Sequence, residues 1–268
     1  MSQTRFVLDG RPVEAEAAVL GATTGLVRSG EGWFETLRGE AGRWMFEADH
    51  LARMLGSIAA AGGDADAAFR SLRATLDAAP AARESSSRLR LLVTPSEAVA
   101  GGWQSLAEVG SYEPPVAHYA QGVALASAAF DHPGLGGFGK SASYHWSALA
   151  QASAERAGAQ EALFWRGGLA AEGARSTLLW REGGAWWTPS MQGLLASVTL
   201  AQLEAGGMAV ERGALDAARL QACDGLLLVS ALRLVAPVRS LDGRTLPVLQ
   251  DEAAALRSRL LDSHAGAR

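Results

Sequence analysis

Alternating apolar and polar positions mark the first strands. Residues 3–8 read as a strand that ends in a turn at Asp9-Gly10, and 33–38 read as a second. Residues 42–47 read as a third, joined to the second through Gly39-Glu40-Ala41 as a hairpin. The period then becomes helical. Asp49 is placed as an N-cap, and Leu51, Met54, Leu55 and Ile58 recur at helical spacing until Gly62-Gly63. A second helix is predicted over 65–78, with Phe69, Leu72 and Leu76 on one face and Pro80 as its stop. Residues 88–93 read as a strand.

A Pro pair, Pro114-Pro115, interrupts this periodicity. Beyond it the pattern predicts a strand at 122–129, a Gly-rich loop at 134–139 and a helix at 144–157. Two strands around 161–181 follow, then a helix from about 193 to 205. A strand at 225–229, a turn at Asp242-Gly243 and a last helix at 250–262 close the chain. Hairpins mixed with helices predict an α+β protein rather than a regular alternation of strand and helix. The expected organisation is a domain over 1–113, a linker over 114–121 and a second domain over 122–268.

Composition narrows the class. The 268 residues carry a formal charge of −4, with no basic run of the kind that tracks nucleic acid. The N-terminal residues lack a signal-peptide stretch, and no apolar run is long enough for a bilayer. The one cysteine, Cys223, allows no internal disulfide. The expectation is a cytoplasmic enzyme acting on a small molecule, with no nucleic-acid or membrane partner. The five histidines show no metal-ligand spacing, so no metal is expected.

The lysine count changes the picture most. Of the 24 Lys and Arg residues, one is lysine, Lys140. A compositional bias toward Arg accounts for the excess where only positive charge is needed. Arg cannot replace Lys where a neutral amine must act as nucleophile, because guanidinium stays protonated. Lys140 is therefore a candidate for covalent chemistry.

Two motif readings compete for it. Residues 134–141, GLGGFGKS, fit the P-loop pattern G-x-x-x-x-G-K-S, a cradle of backbone N–H groups for phosphate. Against this, no apolar strand ends in the Asp such nucleotide-binding proteins use for magnesium: Leu226-Leu227-Leu228-Val229 runs into Ser230.

The other reading draws on most of the chain. Gly30-Glu31-Gly32-Trp33-Phe34-Glu35-Thr36-Leu37-Arg38, followed by His50-Leu51-Ala52-Arg53, resembles G-x-x-x-F-E-x-x-R and H-x-x-R of the class IV aminotransferases. Lys140-Ser141-Ala142-Ser143-Tyr144, then Ala157-Gly158-Ala159-Gln160-Glu161-Ala162-Leu163, is similar to K-x-x-N-Y and A-G-A-D-E-A-L. Glu172 through Leu178 resembles E-G-x-x-S-N-L. Thr188-Pro189 with Gly193 through Thr199, and Ser230 through Val238 with Asp242-Gly243, complete the series in order.

The resemblance implies a two-domain fold like that of D-amino acid aminotransferase, a homodimer, and pyridoxal 5'-phosphate as cofactor. It implies that Lys140 forms the Schiff base and moves protons at the substrate carbon. Glu172 would face the pyridine nitrogen and keep it protonated. Arg53 would bind the phosphate, with Val198 and Thr199 offering further donors at a helix start. Tyr144 would hydrogen-bond the ring hydroxyl, and Ala231, where the family often has a hydroxyl, could contribute only its backbone. Thr177, Leu200 and Ser143 stand where the family usually has Asn, Arg and Asn.

Members of the family either transaminate or, as 4-amino-4-deoxychorismate lyases, release pyruvate and leave 4-aminobenzoate, as in folate biosynthesis. Thr36 bears on the choice. Lyase-like members usually carry Thr there, and branched-chain transaminases Gly. A hydroxyl near Lys140 could relay a proton; equally, Thr36 is a common β-branched strand residue. The expectation is the lyase, with a transaminase of branched-chain or D-amino acids as the alternative.

Overall fold

The computed structural model describes residues 4–83 and 85–266. They form two compact units. One runs up to Pro114 and includes Phe138–Ser143; the other comprises Pro115–Gly137 and the chain from Tyr144 onward. Lys140, assigned by chain position to the C-terminal half, therefore has its contacts in the first unit.

In the first unit, strands β1 (Arg5–Leu8) and β2 (Arg11–Val13) precede helix α1 (Gly25–Ser29). Strands β3 (Trp33–Glu40) and β4 (Arg43–Trp44) lead into helices α2 (Glu47–Ala60) and α3 (Ala65–Asp77), and β5 (Ser87–Pro95) and β6 (Trp103–Ser111) follow. The sheet order is β2-β1-β6-β5-β3-β4, with antiparallel pairing throughout. Side chains alternate between its faces. Trp33, Leu37, Leu89, Leu91 and Val93 point to one face and pack with Leu51, Met54, Ile58, Leu72 and Leu76 of α2 and α3. Burying each such Leu stabilises the unit by roughly 1.5–3 kcal/mol.

Three expectations are corrected here. Helix α2 starts at Glu47, not after a cap at Asp49. Met45 still donates to Arg38 O at 2.8 Å, so the chain must reverse at Phe46, which takes a left-handed φ of 53°. Asp49 instead sits in the first turn, where a carboxylate favours the positive end of the helix. Phe69 is 41% exposed, because Ala68, Leu72 and Leu76 form the buried stripe of α3 and leave Phe69 at its edge. Strand β6 is absent from the sequence pattern: WQSLAEVGS mixes polar residues into both faces, and Gln104 and Ser105 are buried through side-chain hydrogen bonds.

The second unit begins with helix α4 (Val116–Gln121), where a linker was expected, and strand β7 (Val123–Ser127). Helix α5 (His145–Arg156) precedes β8 (Glu161–Arg166), β9 (Leu169–Gly173), β10 (Thr177–Glu182) and β11 (Ala185–Pro189). Then come α6 (Val198–Ala205), β12 (Val210–Gly213), α7 (Ala217–Ala222), β13 (Gly225–Ser230), β14 (Leu234–Leu241), β15 (Arg244–Thr245) and α8 (Gln250–Gly266). The sheet order is β12-β11-β10-β13-β14-β7-β8-β9, with β15 beside β14. Leu226, Leu227, Leu228 and Val229 are all buried, as expected of a strand covered on both faces. One face packs Val123, Leu125, Leu178, Trp180, Leu226 and Val238; α5 packs with Phe164, Ala171 and Ala174 in a separate cluster.

Where two strands were expected around 161–181 there are three, because the turn at Gly167-Gly168 splits the first run. Helix α6 starts at Val198 rather than 193. Gly193 has φ of 78°, and Ser197 caps the helix by accepting from Leu200 N–H at 3.2 Å.

Candidate active site

In the first unit the lysine segment is stitched to the start of β3. Phe34 N–H donates to Lys140 O at 2.9 Å, Ala142 N–H to Gly32 O at 2.8 Å, and Ser143 Oγ to Gly30 O at 2.8 Å. Gly139, with φ of 87°, passes so close to α2 that an added Cβ would lie 2.1 Å from Ser57 Oγ. These bonds bring Lys140 to a strand more than a hundred residues earlier. Its Nζ lies 4.7 Å from the centre of the Phe34 ring.

The helix that a P-loop needs directly after its lysine is missing: residues 140–144 are non-helical and α5 opens at His145. That geometry removes the nucleotide-cradle reading.

Phe34, Thr36 and Arg38 share the face of β3 opposite the core. Thr36 is half-buried and pairs in register with the exposed Arg90 of β5. The Arg90 guanidinium lies 4.2 Å from the centre of the same Phe34 ring. A lysine amine and a guanidinium fork thus meet one aromatic ring, on the strand face that also carries Thr36. Arg90 lies outside the family-like motifs. The signal that could have found it is its parity with Arg88 in the run 88–93, whose other residues are apolar.

Glu35 points the other way and is 1% exposed. His50 Nδ1 lies 2.8 Å from its Oε2, and Arg53 Nε donates to its Oε1 at 2.8 Å, with a second Arg53 nitrogen on Oε2. Burial would push this carboxyl up, but the His50 and Arg53 hydrogen bonds and the Arg53 charge outweigh it and hold it below the usual range. The F-E and H-x-x-R blocks are therefore one buried cluster. Arg53 is oriented by Glu35, an attachment its motif did not disclose.

The second unit holds the other candidates. Glu172, in β9, is 9% exposed, and its Oε1 lies 2.9 Å from Nε2 of the buried His132. Among the described residues no Lys or Arg pairs with this carboxylate. Tyr144 donates its hydroxyl to Ala174 O at 2.5 Å. Burial pushes its pKa up to about 12, so the phenol stays protonated. Ser147 donates to the same carbonyl.

Val198 and Thr199 are buried at the start of α6, where helix geometry leaves their N–H groups without intrahelical acceptors. Ala231 is half-buried in the turn between β13 and β14. Among the described residues no group of His, Cys, Asp and Glu is arranged to hold a metal, and no helix is long and apolar enough to cross a membrane.

The sequence profile of the family "Amino-transferase class IV" matches residues 32–241. The chain belongs to the class IV aminotransferase family. The fold agrees. A hypothetical aminotransferase from Mycobacterium tuberculosis, in its PLP-bound form, superposes with a TM-score of 0.80 at 23% identity, over 99% of this chain and 100% of that one. A fold IV-transaminase from Curtobacterium pusillum gives 0.79 at 24%, with the same coverage. The branched-chain amino acid aminotransferase of Escherichia coli gives 0.78 at 18%, over 97% and 94%. No curated protein sequence matches significantly. The expected α+β class IV aminotransferase fold is the fold observed.

Proposed function

We propose that this class IV aminotransferase-family chain is a pyridoxal 5'-phosphate enzyme that removes a proton beside the amino group of a small substrate. The observation that carries the reading is the lysine amine 4.7 Å over Phe34, flanked by Arg90 and on the side of β3 that carries Thr36. The donor set fits the cofactor. Glu172, a buried carboxylate with no Lys or Arg partner among the described residues, suits a protonated ring nitrogen, and two buried N–H groups at a helix start suit a phosphate. When bound, pyridoxal phosphate supplies an electron sink that acidifies the C–H bond of an attached amine.

The chain's own residues do the rest. Lys140 would hold the cofactor covalently, and its amine is the group that would take the proton. Arg53, fixed by Glu35, presents charge to the phosphate. Tyr144, whose proton goes to Ala174 O, can meet the ring hydroxyl as an acceptor; Ala231 offers its backbone. Arg90 offers a planar fork to a substrate carboxylate.

Within this reading the reaction is elimination: 4-amino-4-deoxychorismate loses its enolpyruvyl group as pyruvate and becomes 4-aminobenzoate. Thr36 supports it, because its half-buried hydroxyl shares a face with Phe34, over which Lys140 lies. The second reading is a transaminase, favoured by the structural likeness to enzymes described as transaminases.

A stoichiometric assay separates them. A lyase converts aminodeoxychorismate to pyruvate without an amino acceptor, turnover after turnover. A transaminase stalls after one half-reaction unless a 2-oxo acid is supplied. Thr36→Gly should slow elimination by about 10²–10⁴-fold if the hydroxyl relays a proton. Amino exchange in the absence of any pyruvate release would establish the second reading.

A further inference from the structure

We propose that His132, a residue outside every motif, is the positioning residue of Glu172: a neutral imidazole that fixes the carboxylate without neutralising it. This rests on the cofactor reading above and deepens it.

The tautomer is set by the chain itself. Gly134 N–H donates to His132 Nδ1 at 3.0 Å. A backbone N–H can only donate, so Nδ1 must be bare and the ring proton must sit on Nε2. That proton faces Glu172 Oε1 at 2.9 Å. The residue's own N–H is tied to Trp165 O at 2.7 Å, which anchors the loop before the Gly-rich segment. Trp146 and Phe164 meet the ring edge-on at 5.2 and 5.4 Å, so it is walled by aromatic rings and only 2% exposed. The Gly134 N–H occupies the Nδ1 lone pair, so the ring donates through Nε2 alone.

A neutral donor matters here. An Arg or imidazolium beside Glu172 would claim part of its negative charge. His132 takes one oxygen by hydrogen bond and leaves the charge intact for whatever cation approaches the carboxylate. Among the described residues that cation is not supplied by the protein. A protonated ring nitrogen is the group this arrangement awaits. The relay is Gly134 N–H to His132, then His132 to Glu172, then Glu172 to the ligand. Outer partners that fix the orientation of a ligating side chain work in this way in metal sites.

The test has two arms. In cofactor-free protein labelled with ¹⁵N-histidine, one ring at neutral pH should show a bare Nδ1 and a slowly exchanging Nε2–H. That signal should vanish in His132→Gln and shift in Glu172→Gln. In the loaded protein, ¹⁵N at the cofactor ring nitrogen should report a protonated nitrogen in the parent. His132→Phe should lose that protonation and bind cofactor about 10-fold more weakly, as when an outer partner is removed. His132→Gln, which keeps an N–H donor, should recover most of both. An equally protonated nitrogen in His132→Phe and parent overturns the proposal. So does a His132 ring protonated on Nδ1 in the cofactor-free protein. A parent that takes up no pyridoxal phosphate overturns the cofactor reading and this role together. The histidine signal, present without cofactor, then tells that failure from a failure of the pairing itself. If His132→Phe does not fold, the Gln variant and the labelled parent still decide.

Discussion

At the scale of single residues, the Glu35–Arg53 pair has consequences for both stability and binding. Removing one partner of a buried pair costs about 3–5 kcal/mol, because the other charge stays buried. Arg53→Ala should therefore lower the urea-unfolding stability of the cofactor-free protein by about that amount, besides weakening phosphate binding. An Arg53→Ala protein as stable as the parent would show that the pair contributes nothing. The pH dependence has a definite sign. The Glu35 carboxyl is lowered on folding from its ordinary 4.5, so its contribution is fully present above that value and is lost as pH falls through the folded value. The stability gap between parent and Glu35→Gln should narrow as pH drops below 4.5. Residue type and spacing were enough to single out Lys140, Glu172 and Arg53 as candidates. The Glu35 attachment, Arg90 and His132 were not. Their meaning comes from pairing across strands and loops, and no spacing links His132 to Glu172, 40 residues on.

At the scale of elements, what places Lys140 is not a helix or a strand but the segment 138–143 hydrogen-bonded along the start of β3. Its weak point is Gly139, where a side chain would meet both a positive φ and Ser57. Gly139→Ala should displace the segment at a cost of about 1–3 kcal/mol. Cofactor attachment to Lys140 should slow while the far-ultraviolet spectrum is unchanged. Adding Ser57→Gly should relieve the steric part and restore some of the rate; no restoration would mean that backbone conformation alone makes the position sensitive. Strongly periodic elements such as α2 and α3 were readable because one face is buried. Strands β6, β11 and β14 were not, for different reasons. β6 buries hydrogen-bonded polar residues, β11 carries two half-buried Trp residues, and β14 lies inside a sheet covered on both faces, which erases alternation.

At the scale of the whole molecule, the family resemblance implies a homodimer. The expected result in solution is a mass twice the 27.9 kDa of the chain; a monomer with full activity would contradict it. The central claim is the covalent role of Lys140, and the single lysine makes its test unusually direct. Borohydride reduction of the protein loaded with pyridoxal phosphate should add one reduced cofactor to the intact mass of each chain. Peptide mapping should find it on Lys140, and Lys140→Arg should abolish both the label and the visible absorbance of the bound cofactor. Label confined to the N-terminal amine, the only competing amine in the chain, would contradict the account.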